Sequence, residues 1–323
     1  MQSYLNSALT IGTLQLANRL IQGPLAGFSC APFRELFYQF TAPAYCVSEM
    51  ISAQDLLHKH QLNSRYLYRS PKEKTLCYQI SGQDPAIMAE AAEQLDIIGA
   101  DLIDINCGCP KAKIRKKGAG SALLETPKLL CSIVSAVRKT TKRPLTVKIR
   151  IQTQAKDLDL AKAIEQAGAD ALIVHGRRWI DDYDKACDIT SIAQIKSAIG
   201  IPVIANGDIA DTTSLAAILN KTGCDGYMIA RASTGKPWLY QSLLSGKERG
   251  EQRINLKVIF MQHLQGLANL ESEHKAVLQS KSLIRYYFKT ALNESQLQAF
   301  YALESLSKIE TMLDETLGHL FPD

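Results

Sequence analysis

A chain of 323 residues with 46% apolar content can bury a large core, and its size fits one large domain with an appendage better than several small ones. Its net charge of +5 is too small to mark a polyelectrolyte binder by itself, and the whole excess falls in the first 248 residues, so the distribution of charge carries the information. No apolar run reaches the ~18 residues of a membrane span, MQSYLNSALT has neither part of an export signal, and eight scattered cysteines fit reduced thiols in a cytoplasm rather than a disulfide framework.

From residue 19 to residue 230, short apolar, β-branched runs alternate with longer amphipathic segments. The runs predict eight strands: RLIQGP (19–24), AYCVSE (44–49), TLCYQI (75–80), LIDIN (102–106), LTVKIR (145–150), ALIVHG (171–176), PVIANG (202–207) and GYMIA (226–230). Between the third and fourth, DPAIMAEAAEQLDIIGA predicts a helix with Asp84 as N-cap, Pro85 in the first turn and Gly99 past its end. TPKLLCSIVSAVRKTT (126–141) and DLDLAKAIEQAGA (157–169) repeat the design. Eight such units predict an α/β fold, a (β/α)8 TIM barrel, rather than a doubly wound sheet. After Pro237 the strand pattern stops. HLQGLANL, HKAVLQSKSLIRYYFKTAL and SQLQAFYALESLSKIETMLDETL predict three or four helices, a small all-helical C-terminal domain. The boundary falls near residue 248, giving a catalytic barrel over 1–248 and a helical domain over 249–323.

Barrels of this kind carry their sites at the C-terminal ends of the strands. Gln79 and Ser81, Asp104 and Asn106, Lys148, His175 and Asn206 stand there on five different strands. The period of two puts Asp104 with Asn106, and Thr146 with Lys148 and Arg150, on common faces. A single buried polar residue is more often a satisfied core residue than a ligand. Five on one rim would leave unpaired groups costing roughly 1 to 3 kcal/mol each unless a polar ligand meets them. After the last two strands come Asn206-Gly207-Asp208 and Ala230-Arg231-Ala232, small-residue turns where such barrels bind phosphate. Phosphate there, a lysine at the fifth strand and an amide at the third point to flavin mononucleotide (FMN) across the mouth. No G-x-G-x-x-G follows a strand, so a Rossmann site is not supported. Cys107 and Cys109 have no nearby Cys or His pair to complete a zinc set, and no metal site is expected.

The loop NCGCPKAKIRKKGAGSALL (106–124) holds Cys109 beside Pro110 and a basic knot of Lys111, Lys113, Arg115, Lys116 and Lys117. A charge run is usually a solvated face, and a free cysteine is usually a small core filler. The alternative is a nucleic-acid contact next to a reactive thiol. Lys281, Arg285 and Lys289 recur at helical spacing in the tail and offer a second basic face.

GPLAG (23–27), VSEMIS (47–52), QISG (79–82), DINCGCP (104–110), VKIR (147–150), VHGR (174–177), NGDI (206–209) and MIARA (228–232) together resemble the tRNA-dihydrouridine synthase family over nearly the whole chain. GAGSALL (118–124) is most similar to its bacterial B-type members. The resemblance implies an FMN enzyme reduced by NADPH that passes hydride to C6 of a flipped D-loop uracil of tRNA, with Cys109 giving a proton to C5. It implies FMN contacts by Pro24, Ala26, Gln79, Asn106, Lys148, His175, Asn206, Gly207, Asp208, Ala230 and Arg231. RNA contacts fall to the knot at 111–117, to Arg177 and to the tail stripe, with no obligate protein partner. A thiol of pKa near 8.5 is mostly protonated at neutral pH and can serve as that acid. The chain departs from the family in PLA for PMA, in Ala230 for a usual glycine, and in Ile151-Gln152-Thr153 after VKIR. A flavin barrel acting on a free pyrimidine and an RNA-binding protein without catalysis are the competing readings. The basic loop and helical tail weigh against the first, and the flavin set with Cys109 against the second.

Overall fold

The computed structural model describes residues 1–247 and 254–317. Eight parallel strands close into a barrel: β1 (Leu20–Gln22), β2 (Tyr45–Val47), β3 (Leu76–Ser81), β4 (Leu102–Cys107), β5 (Leu145–Arg150), β6 (Ala171–His175), β7 (Val203–Asn206) and β8 (Gly226–Ile229). Each pairs with the next, and β8 pairs with β1, as in the register Met228 to Ile21. All eight strands coincide with the eight runs of the sequence. The helices start where their caps predict: the Asp84 carboxylate accepts from the backbone N–H groups of Ala86 and Ile87 at the head of Pro85–Ile97. One helix differs. Gln154–Gln166 begins three residues before Asp157, whose buried carboxylate accepts from the Gln152 N–H at 2.8 Å.

Alternation along the strands separates two cores. Leu76, Tyr78, Ile80, Ile103, Ile105, Cys107, Val147, Ile149, Leu172 and Val174 pack outward against the helices. Cys77, Leu102, Ala171, Ile173, Ile204 and Met228 point inward and fill the lower barrel with Tyr45 and Val47. Leu9, Ile11 and Leu16 of an antiparallel hairpin, Leu9–Ile11 with Leu14–Leu16, belong to this inner cluster and plug the N-terminal end. The hairpin lies before residue 19, where three-residue strands are too short to give a periodic signal. With its floor apolar and closed, the barrel opens only toward the C-terminal strand ends.

Four helices follow: Leu256–Leu270, Glu273–Tyr287, Glu294–Tyr301 and Leu306–Leu317. Their core, built on Phe260, Leu264, Leu283, Ile284, Phe300 and Leu313, also takes in Cys30 and Leu36 from the segment after β1. Phe33 meets His263 with ring centroids 5.8 Å apart. The proposed boundary at residue 248 lies outside the described residues. Among those described, no helix is long and apolar enough to cross a membrane.

Candidate active site

The inward positions change character along each strand, from apolar at the floor to polar at the mouth. Ladder register puts Gln79 beside Asp104, Asn106 beside Lys148, Arg150 beside His175 and His175 beside Asn206. These neighbours bond to one another. Thr146 Oγ1 donates to Asp104 Oδ1 at 2.5 Å, Gln79 Nε2 to Asp104 Oδ2 at 2.7 Å, and Asn106 Nδ2 to Gln79 Oε1 at 2.7 Å. Lys148 Nζ donates to Asn206 Oδ1 at 2.9 Å, while Asn206 Nδ2 donates to the Met228 carbonyl.

The mouth is electropositive. Burial, helped by the charges of Lys148, Arg150, Arg177 and Arg231, pushes His175 down to about 2 and keeps it neutral. Burial also lowers Lys148, while the Asp104 charge, with Cys109 and Cys187 contributing, works the other way. Asp104 itself is raised by burial and held back by Thr146 and Gln79. The Lys148 ammonium has three donors and one protein acceptor among the described residues, so the mouth has hydrogen-bond donors and positive charge to spare. A flavin with an anionic phosphate fits that donor set.

The turn after β7 supplies the small-residue cradle. Gly207 and Asp208 both have positive φ, 126° and 53°. A Cβ on Gly207 would lie 2.7 Å from Cys187 Sγ and 3.1 Å from His175 Cδ2, so packing as well as backbone conformation calls for glycine there. After β8, Ala230 has φ −115°, outside the left-handed region that calls for glycine, and a short 3-10 turn Arg231–Ser233 presents the exposed Arg231. Pro24 and Ala26 border the mouth past the end of β1, with Pro24 half-buried and Ala26 exposed.

Cys109 is partly exposed, whereas Cys107 belongs to the outward core. Asn106 Oδ1 accepts from the backbone N–H groups of Gly108 and Cys109 at 3.2 and 2.9 Å, and Arg150 Nε donates to the Gly108 carbonyl at 2.9 Å. The Cys109 carbonyl in turn accepts from the Ser121 N–H at 3.0 Å. Lys111, Lys113, Lys116 and Lys117 are exposed around the short helix Ala112–Arg115.

Two of the basic residues are placed unlike the others. Arg177 is 2% exposed, and its guanidinium is engaged by both oxygens of Asp208 and by the carbonyls of Lys185 and Tyr183. It braces the turn after β7 from below and does not face solvent. Lys289 is exposed just past the helix Glu273–Tyr287, which itself carries Lys281 and Arg285. Arg285 also reaches Tyr301 Oη at 2.8 Å. Within the knot, Arg115 stacks 3.6 Å above the Trp179 ring and pairs with Glu125.

The loop after β6 adds residues with no signal in the sequence. The Tyr183 ring lies 4.0 Å from the Arg231 guanidinium and stacks toward His175 at 6.5 Å. Its only cue is an exposed aromatic inside an acidic stretch, which has no period. Beside this loop opens a cavity of about 550 Å³ bordered by Gln152, Thr153, Arg178, Asp181 and Ser191, and Lys148 is not part of its lining.

Known proteins resemble the chain in sequence and in fold. The sequence model of the Dihydrouridine synthase (Dus) family matches residues 21–319. The chain is 36% identical over 292 residues to tRNA-dihydrouridine synthase B of Pseudomonas aeruginosa, covering 88% of each. It is 35% identical over 320 residues to tRNA-dihydrouridine synthase B of Vibrio cholerae, covering 96% of this chain and 98% of the relative. Among solved structures, a variant of NCR from Zymomonas mobilis superposes with a TM-score of 0.56 at 15% identity, over 78% of this chain and 94% of that one. Morphinone reductase in complex with tetrahydroNAD gives 0.55 at 14%, over 78% and 93%. At that identity the two structures speak for the barrel alone.

Proposed function

The chain belongs to the dihydrouridine synthase family, and on that premise we propose that it reduces a D-loop uridine of tRNA to 5,6-dihydrouridine, with FMN as resident cofactor and NADPH as reductant, in the cytoplasm. The observation that carries the reading is that Asn106, bonded inside the barrel to Gln79, also holds the backbone of Cys109. Amides suited to a flavin ring and a partly exposed thiol thus share one side chain.

When bound, FMN supplies the hydride that goes to C6 of the uracil. Gln79 and Asn106 would offer amide atoms to its ring, and Lys148 would supply a positive charge to stabilise the reduced cofactor. Neutral His175, the Gly207–Asp208 turn, Ala230 and Arg231 would hold the phosphate end, with Pro24 and Ala26 at the border. Asn206 fixes Lys148, and Arg177 fixes Asp208. Cys109 gives its thiol proton to C5 of the base, which completes the addition of hydride and proton across the double bond. Lys111, Lys113, Lys116 and Lys117 neutralise RNA phosphates. The helical domain over 249–323, through Lys281 and Arg285, forms the other side of the RNA cradle.

The test uses tRNA from cells lacking this protein, incubated with the flavin-loaded enzyme and NADPH. Dihydrouridine is expected at one D-loop position. Cys109→Ala should stay yellow and accept electrons from NADPH while its yield on tRNA falls about 100-fold or more. No dihydrouridine with the wild-type enzyme, or free uracil turned over as fast as tRNA, overturns the assignment.

A further inference from the structure

Asp104 is the one fully buried carboxylate of the inner barrel, and it touches neither the mouth nor Cys109 directly. An ionised carboxylate accepts hydrogen bonds and cannot donate them, whereas an amide side chain presents an acceptor at one end and donors at the other. Both Asp104 oxygens receive donors, Thr146 Oγ1 on one and Gln79 Nε2 on the other. The NH2 end of Gln79 is therefore fixed toward Asp104, and its oxygen faces Asn106. That oxygen demands a donor, so Asn106 turns its NH2 to Gln79 and its oxygen to the loop. At the far end stand the backbone N–H groups of Gly108 and Cys109, which can only donate. An acceptor-only group at one end and donor-only groups at the other leave a single consistent polarity for both amides.

We propose that Asp104 is a positioning residue, which sets the Cys109 loop through the oriented amides of Gln79 and Asn106. The role of the loop rests on the function proposed above; the orientation of the chain does not. No other side chain in this run of bonds has a fixed polarity: the loop N–H groups press the same way from the far end, but at the Gln79 end only Asp104 does so. Thr146 has a rotatable hydroxyl that donates or accepts as needed, and an asparagine at 104 would offer either sign to Gln79. Asp104→Asn is nearly isosteric, yet it removes the fixed acceptor at the Gln79 end and leaves the loop's own N–H groups as the one restraint on the two amides. An inverted Asn106 would turn its NH2 toward the N–H of Cys109, and two donors facing each other would push the loop away.

The experiment reads the loop without requiring turnover. In the full-length, flavin-loaded protein, the alkylation rate of each thiol by iodoacetamide is followed by mass spectrometry. Asp104→Asn should change the Cys109 rate by roughly fivefold or more, leaving those of Cys131 and Cys187 within about twofold. In an Asn106→Ala background the same substitution should change the Cys109 rate by less than about twofold, because the link through which Asp104 acts is gone. In parallel, reoxidation of the reduced flavin by tRNA should slow about tenfold or more while reduction by NADPH changes less than about threefold. Should Asp104→Asn fail to fold, Gln79→Leu cuts the chain one link further on and carries the same alkylation expectation. An unchanged Cys109 rate, or an equal change with and without the Asn106 side chain, overturns the proposal. If the wild-type enzyme makes no dihydrouridine, the proposed function falls, and the alkylation rates still decide the role of Asp104.

Discussion

Arg65 reaches Glu271 at 2.5 Å across the gap between the barrel and its helical appendage, while its other edge holds Glu49 of β2's trailing loop at 2.7 Å. Gln279 Oε1 and the Gly27 carbonyl complete its shell. The three charged side chains are largely buried, at 17%, 4% and 11% exposure. Removing the cation leaves the buried Glu49 with only the Gly27 N–H, while Glu271 keeps Lys275 at 2.8 Å. Arg65→Met should therefore cost about 3 kcal/mol, and Glu271→Gln about 1 kcal/mol because Arg65 keeps Glu49. Urea unfolding of the two variants checks the order and the size.

His263 gives stability a pH dependence that does not involve the active site. It is buried in the helical core with Nδ1 3.0 Å from Tyr287 Oη, and burial, aided by the charge of Arg65, lowers it from 6.5 to about 3. The unfolded chain binds a proton there below pH 6.5, whereas the folded chain binds it only near pH 3. Stability from neutral His263 is thus fully present above 6.5 and is lost as the pH falls through this window, by up to about 1.4 kcal/mol per pH unit. His263→Phe with Tyr287→Phe, which leaves no hydroxyl unpaired, should flatten the acid limb by about one proton. Denaturant titrations at successive pH values measure that slope.

The fold was legible because its signals are periodic. Eight runs with inward alternation located β1 to β8 and brought Gln79, Asn106, Lys148, His175 and Asn206 to one mouth. Signals that depend on a distant partner were not legible. Arg177 resembles any surface cation until Asp208, 31 residues away, is seen to occupy it. Lys289 continues a helical spacing, yet the helix closes at Tyr287 with Phe288, and neither glycine nor proline marks the stop. Arg65 and Tyr183 each act across loops, where sequence distance carries no information on contact. Asp104 was visible as an inward polar residue, but its part in orienting two amides appears only with the bonds themselves.

Gly120 holds the loop against its own thiol. Its φ is 62°, and an added Cβ would lie 2.8 Å from the Cys109 carbonyl oxygen and 3.1 Å from Cys109 Cβ. Alanine there costs about 1 to 2 kcal/mol in backbone conformation alone, and the contact displaces Cys109 outward. Gly120→Ala should retain flavin and its reduction by NADPH, while single-turnover oxidation by tRNA slows roughly 10- to 100-fold. A loss of both half-reactions together would mean that the loop, and not the thiol's position, has failed.

The basic knot divides into cations free to meet phosphate and one that is engaged. Lys111, Lys113, Lys116 and Lys117 are exposed and flank the loop that carries Cys109. Replacing all four with glutamine should weaken tRNA binding and reduce the slope of log affinity against log salt by about 0.7 to 0.9 for each phosphate no longer neutralised. Arg115 lies on the Trp179 face, with Ser121 Oγ and Glu125 on its nitrogens. Its guanidinium is already balanced, so Arg115→Gln should leave the salt slope nearly unchanged while loosening the packing between the loops after β4 and β6. Equilibrium binding of tRNA over a range of salt concentrations separates the two classes. A slope change for Arg115 equal to that of a single lysine would mean that RNA draws it off the indole, and the stacked arrangement would then belong to the free enzyme only.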